Sequence, residues 1–214
     1  SVGQVDYFKS LLTEAELGQE AEERLRVLIS QKNSFGVEEF VEEQKLKDSM
    51  QKAFIEIPQM FGSEEVLKKA RSLTNNACAL EAVSRLEEIY EIMKNYGYEK
   101  YISFDFGMLS KFRYYTGIIF QAYTYGTGEP LVKGGRYNEL MKHFGKPASS
   151  IGFAIVVDNL MLALSRQKLT VPADDKAVVI TYGPEELKEA IREAMKLRKE
   201  GKNVALRPAK EEQD

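Results

Sequence analysis

Apolar positions recur at helical spacing from Val5 to Leu17 and again from Glu20 to Ser30, with Gly18 as the stop between them. From Val37 to Met60 the pattern stays helical and heavily charged. It ends near Pro58, where a missing amide and a fixed φ stop regular structure. Ser63 is a candidate cap for a further helix whose first turn holds Glu64 and Glu65, both favourable against the helix dipole. Leu80, Val83, Leu86, Ile89 and Met93 form the stripe of the next helix, which residues 95–97 close.

After Gly97 the period changes. Tyr101 to Phe106, Tyr114 to Tyr125 and Leu131 to Lys133 are rich in aromatic and β-branched residues and are separated by glycine-containing turns, which predicts antiparallel strands. Ile151 to Val157 reads as another strand, and Asp158 to Gln167 as a helix with an acid in its first turn. Lys168 to Asp175, with Pro172 and two acids, separates these from a strand–helix–strand pattern over Ala177 to Tyr182, Pro184 to Glu200 and Asn203 to Leu206. Pro184 suits a first helical turn and Gly201 a C-terminal stop, so a βαβ unit begins here.

A chain of 214 residues, 43% hydrophobic, buries one good core and a second small domain. Its 30 basic and 33 acidic residues leave a net charge of -3, so there is no global basic field for a phosphate backbone and nucleic-acid binding is disfavoured. Cys78, the single cysteine, reads as structural at a helix start. With no second thiol and no histidine cluster, no metal site is expected and a reducing cytoplasm is the natural compartment. No apolar run reaches the length of a membrane span, and the first residues lack a signal layout. Starting without methionine inside structured sequence, the chain reads as part of a longer protein.

Three stretches carry candidate chemistry: RYYTGIIF (113–120), GGRYNEL (134–140) and IGFAIVVDNL (151–160). Adjacent tyrosines on a strand point to opposite faces, so one of Tyr114 and Tyr115 can line a site while the other packs inward. Gly134 and Gly135 are expected to form a tight turn that sets Arg136 and Tyr137 just beyond it. A phenol hydroxyl donates and accepts, which suits either nitrogen of an imidazole. The competing reading is structural, since buried tyrosines and paired glycines are common in cores. His143, the only histidine, has no nucleophile or acid placed beside it by any motif and reads as a packing or surface residue. The acid-rich run Glu38 to Glu43 alternates with Phe40 and Val41 and reads as a solvated helix face.

Taken in order, the three stretches resemble the histidine-binding strands and third signature motif of histidyl-tRNA synthetases, whose versions run near RGLDYYTGTVFE, GGRYDGL and GFAxGxERL. The resemblance implies an α+β fold, a class II synthetase-like antiparallel sheet flanked by helices. Residues 1–170 would form a partial core with a helical insertion over 33–97, and residues 171–214 the start of a C-terminal α/β domain. It also implies a histidine pocket drawn from Tyr114, Tyr115, Thr116, Gly134, Gly135, Arg136 and Tyr137, with Tyr115 favoured as the liner. No cofactor is implied.

The departures point away from catalysis. The catalytic arginine of the synthetases falls on Ser110, with Arg113 three positions off; the ATP-binding arginine falls on Asn159, and a glycine of the third motif on Val156. A short neutral hydroxyl cannot replace a guanidinium that stabilises charge on carboxylate and phosphate. Regulatory subunits of ATP phosphoribosyltransferase are similar to this chain at SKFRYY (110–115) and YTYGTG (123–128). That resemblance implies a catalytically disarmed regulatory subunit serving the first step of histidine biosynthesis. Its implied partners are a short-form ATP phosphoribosyltransferase catalytic subunit, histidine as effector, and a second copy in a homodimer of the full-length chain. The alternatives are an active histidyl-tRNA synthetase, or a synthetase-like module sensing an amino acid or tRNA. In the family, the acids and glutamine that hold the amino group and imidazole precede the point where this chain begins, so this chain alone is expected to bind free histidine poorly.

Overall fold

Gln4 turns its side-chain carbonyl onto the Asp6 amide and so starts the first helix, α1 (Val5–Ala15), by satisfying a donor that a helix N-terminus leaves over. Glu16 closes it in a left-handed conformation, and α2 (Gln19–Ser30) follows. The segment whose pattern stays helical over Val37 to Met60 holds two helices, α3 (Ser34–Glu43) and α4 (Asp48–Glu56). The break comes where Lys45 takes a φ of 52°, and Pro58 sits in the short 3-10 turn Ile57–Gln59 that follows α4. In α3, Val37, Phe40 and Val41 are buried while the four glutamates of residues 38–43 face solvent. Next come α5 (Glu64–Ser72) and α6 (Ala77–Asn95). Ser63 does precede α5, but its hydroxyl donates to the Glu65 carboxylate at 2.6 Å instead of accepting from a helix amide. Asn76 caps α6 by accepting from the Ala79 amide.

The computed structural model describes residues 1–109, 114–171 and 177–209, which fall in two compact units, Ser1–Gln167 and Lys168–Asp214. The sheet of the first unit has the order β2-β3-β1-β4-β5-β6, with β1 (Val2–Gln4), β2 (Phe61–Gly62), β3 (Phe104–Asp105), β4 (Ile118–Ala122), β5 (Val132–Tyr137) and β6 (Ser150–Ile155). Every pairing is antiparallel except β1 with β3. Helix α7 (Val157–Arg166) follows β6. Tyr7, Phe8, Phe40, Phe54, Leu86 and Phe104 are fully enclosed and join the helices to the β1–β3 side of the sheet. At the other edge, Ile151, Phe153 and Ile155 share one face of β6 and are more than half exposed.

Strand limits differ from expectation in ways that matter for the site. Tyr101 belongs to a 3-10 turn, Glu99–Tyr101, and only Phe104 and Asp105 pair as strand. Gly117, at φ +95°, delays β4 to Ile118, so residues 114–117 lie outside the strand. Gly134 and Gly135 form no turn; they sit inside β5, opposite Phe120 and Ile119. In the second unit, β7 (Val178–Tyr182) pairs in parallel with β8 (Val204–Pro208), and α8 (Leu187–Lys199) connects them. Pro184 lies in the turn before α8, not in its first turn.

Candidate functional site

Paired residues of an antiparallel sheet share a face, so register sorts the candidate residues. One row runs Gly3, Ile119, Gly135, Gly152 across β1, β4, β5 and β6. Tyr137 shares this face, two residues along β5 from Gly135. A Cβ on Gly135 would meet the Tyr115 ring at 2.7 Å, and one on Gly152 would meet the Tyr137 hydroxyl at 2.7 Å. The glycines therefore serve as seats for aromatic rings.

Tyr114, Tyr115 and Tyr137 form one cluster. Ring centroids of Tyr114 and Tyr115 are 4.5 Å apart, and Tyr137 lies 5.8 Å from the first and 6.4 Å from the second. The expectation that Tyr114 and Tyr115 part to opposite faces is not met, because these residues precede the strand and escape its alternation. Burial, a hydrogen bond with Tyr114 and the nearby Tyr114 and Tyr137 phenols push the Tyr115 hydroxyl up to about 12. It stays neutral at physiological pH and keeps its capacity both to donate and to accept.

Arg136 points the other way. It lies between Gly135 and Tyr137 on β5, and with Thr116 it lines a cavity of about 590 Å³ that also takes in Gln4 and Asp6 beside α1 and Glu81 on α6. The seven candidate residues are thus divided: three tyrosines and Gly135 on one side, Arg136 and Thr116 at the cavity on the other. Gly134 shares the cavity side of the sheet but packs against Phe120 and Phe153. Two bonds tie the cavity residues to one another, since Arg136 Nε donates to Asn138 Oδ1 at 3.0 Å and the Asn138 amide donates to Thr116 Oγ1 at 2.9 Å. Cys78 is exposed on the cavity wall, not packed in the core.

The third stretch holds a loop. The Val156 amide donates to the Leu131 carbonyl at 2.8 Å and Asn159 Nδ2 to the Pro130 carbonyl at 3.0 Å. At the far end of α7, Arg166 reaches the Gly126 carbonyl and Gln167 the Tyr125 carbonyl, both at 2.6 Å. Helix α7 clasps the β4–β5 connection along its length. Ser110 and Arg113, the other positions that bear on activation chemistry, lie outside the described residues. His143 falls in the 3-10 turn Leu140–Phe144. Among the described residues no group of three acids, cysteines or histidines could hold a metal, and no helix is long and apolar enough to cross a membrane.

Gly152 as the seat of Tyr137, and Gln4 and Asp6 on the cavity, were not among the residues singled out from sequence. The period-two pattern of SIGFAI carried a usable signal for Gly152; nothing local marks Gln4 or Asp6, which meet Gly117 only through the β1–β4 pairing.

A predominantly antiparallel sheet with helices against one side and this order of site strands defines a class II aminoacyl-tRNA synthetase-like fold. Residues 1–160 match the histidyl-tRNA synthetase family model, and the chain belongs to that family. It is similar, at 37% identity over 96% of its length, to the ATP phosphoribosyltransferase regulatory subunit of Acetivibrio thermocellus, of which it covers 49%. A solved ATP phosphoribosyltransferase regulatory subunit/histidyl-tRNA synthetase from Bacillus halodurans superposes with a TM-score of 0.71 at 29% identity, over 100% of this chain and 54% of that one. An ATP phosphoribosyl transferase (HisG:HisZ) complex from Thermotoga maritima shares the fold, with a TM-score of 0.55 at 19% identity over 72% of this chain and 51% of that one. The chain spans about half the length of the curated relatives it matches.

Proposed function

We propose that this chain is part of a regulatory subunit of ATP phosphoribosyltransferase, without aminoacylation activity, acting in histidine biosynthesis in the cytoplasm. Its partner is the short-form catalytic subunit, its effector is histidine, and the full-length chain is a homodimer. Residues 171–214 read as the start of a C-terminal α/β domain, and 33–97 as a helical insertion. The observation that carries the reading is the use of Asn159: where the synthetases present an arginine to ATP, this side chain is spent on the Pro130 carbonyl and carries no charge for a phosphate. Similarity to regulatory subunits over 96% of the chain supports the same conclusion.

Tyr115 and Tyr137 frame the histidine pocket in this reading, with the tyrosine cluster supplying phenol hydroxyls that can donate to or accept from an imidazole. The test mixes the protein with a short-form catalytic subunit and measures phosphoribosyl transfer to ATP over a wide range of subunit ratios, beside histidine-dependent pyrophosphate exchange. A rise in transfer without exchange is expected. Exchange activity, or no activation at any ratio, overturns the assignment.

A further inference from the structure

The cavity on the face opposite the tyrosines contains polar groups that the proposed function does not use. Gln4 is nine-tenths buried, and its Oε1 accepts from the Asp6 amide, while its Nε2 has no hydrogen-bond partner among the described residues. The Asp6 carboxylate is likewise without a hydrogen-bond partner among the described residues. Both converge on one point. Around the position a Gly117 Cβ would occupy stand Gln4 Nε2 at 3.7 Å, Asp6 Oδ2 at 3.8 Å and Arg136 Cδ at 3.9 Å. Gly117 cannot be filled in without strain, because its φ of +95° suits glycine, so the space among the three groups is held open by the backbone.

The Gln4 amide and the Asp6 carboxylate are thus both free to bind a ligand that enters the cavity, one as a donor and the other as a charged acceptor. Burial raises the Asp6 carboxyl above its ordinary range, with Lys9 and Arg136 pulling it back and Glu81 adding to the rise. Charges of both signs line the cavity, Asp6, Glu81 and Glu88 together with Lys9, Arg85 and Arg136, and its volume of about 590 Å³ is within the size of small-molecule sites. A simple cation would meet the basic groups and a simple anion the acidic ones.

We propose that this cavity binds a small zwitterion, with its ammonium at Asp6 and its carboxylate at the Gln4 amide and Arg136. The site is separate from the tyrosine face and does not depend on the regulatory assignment.

Nitrogen-15 NMR of the whole chain provides the test, with the Gln4 side-chain amide as reporter, assigned by its disappearance in Gln4→Glu. The probes are L-alanine and 4-aminobutyrate, which differ in charge separation, with propylamine and butyrate as single-charge controls. At least one zwitterion should shift the Gln4 amide with a dissociation constant about tenfold or more below either control, since both poles then contribute charge-assisted bonds. Asp6→Asn should remove that advantage and leave the butyrate response in place; should that variant lose its dispersed spectrum, Glu81→Gln on the exposed wall should weaken the zwitterion in the same direction. No shift with any probe, as expected if the cavity receives a polypeptide segment, overturns the proposal. So does equal binding of zwitterions and single charges, or indifference to these substitutions in variants that keep their fold.

Discussion

Replacing Gly135 by alanine tests whether the sheet is built to seat a tyrosine ring. The added Cβ would lie 2.7 Å from both Cδ1 and Cε1 of Tyr115 and 2.9 Å from the Ile118 carbonyl oxygen. Carbon atoms pack best at about 3.5–4.0 Å, so the overlap with the ring is about 1 Å. Tyr115 has little room to withdraw, because the Tyr114 ring stands 4.5 Å away and Tyr137 6.4 Å away. The Ile118 contact is with backbone and moves only if β4 moves. Overpacking of this kind costs about 1–3 kcal/mol, which for a unit of this size lowers the melting temperature by roughly 3–10 °C. Thermal unfolding by circular dichroism measures the loss. Near-ultraviolet spectra report the tyrosines free of tryptophan overlap, and comparison with Tyr115→Phe separates the cluster from the other tyrosines of the chain. Gly128→Ala is the control, since nothing lies within 4 Å of its Cβ position. If Gly135→Ala melts with the parent and keeps its near-ultraviolet spectrum, Tyr115 does not rest on Gly135 and the account of the glycine row is wrong.

Three further outcomes follow from individual contacts. Tyr7→Phe removes the buried bond to the Ala70 carbonyl at 3.0 Å and should cost about 1–2 kcal/mol in urea unfolding; an unchanged midpoint would mean that water replaces the hydroxyl. The Tyr115 hydroxyl titrates near 12 in the folded chain against about 10 unfolded, so its contribution is whole below pH 10 and is lost as pH rises to about 12, where the unfolded chain has already released the proton. The parent should therefore lose more stability than Tyr115→Phe over that window, and equal losses would count against a shifted Tyr115. Arg166→Ala combined with Gln167→Ala frees the β4–β5 connection from α7 and should raise proteolytic nicking within residues 123–131 severalfold, read by mass spectrometry; unaltered cleavage would show that the clasp is not what orders the loop.

The helices were the most legible part of the fold because their stripes are long: Val83 and Leu86 are buried on α6, and Phe40 and Val41 on α3, as the spacing requires. The break between α3 and α4 was hidden because Lys45 adopts its positive φ without a glycine to announce it. Strand limits failed for a related reason. Strand-favouring residues continue through Tyr114, Tyr115 and Thr116, yet Gly117 turns the backbone there, so composition extended β4 too far. In β5 the error ran the other way. Paired glycines ordinarily signal a turn, but here their lack of side chains admits Phe120 and Phe153 on one face and Tyr115 on the other. The tyrosines were visible through the motifs that contain them; the cavity was not, because its groups come from segments that only tertiary pairing unites.

That alternation also limits what a substitution in the GGRY segment can reveal. Gly135 and Tyr137 face the tyrosine cluster, whereas Gly134 and Arg136 face the opposite side of the sheet. An effect of Arg136 on ligand binding at the tyrosines would therefore have to travel through the chain of Arg136 Nε to Asn138 Oδ1 and Asn138 amide to Thr116 Oγ1. This chain ends next to Tyr115, in the segment that lacks strand pairing of its own. The Thr116 amide adds a second tie, donating to the Arg136 carbonyl at 2.8 Å, and because that bond uses backbone it survives any side-chain replacement. Arg136→Ala should accordingly loosen Tyr115 without releasing it, while Thr116→Val removes the side-chain brace at its other end and should have the same effect. If the two substitutions together disturb the tyrosine spectrum no more than either alone, they act through one path, and Arg136 serves the tyrosine face by position and not by contact.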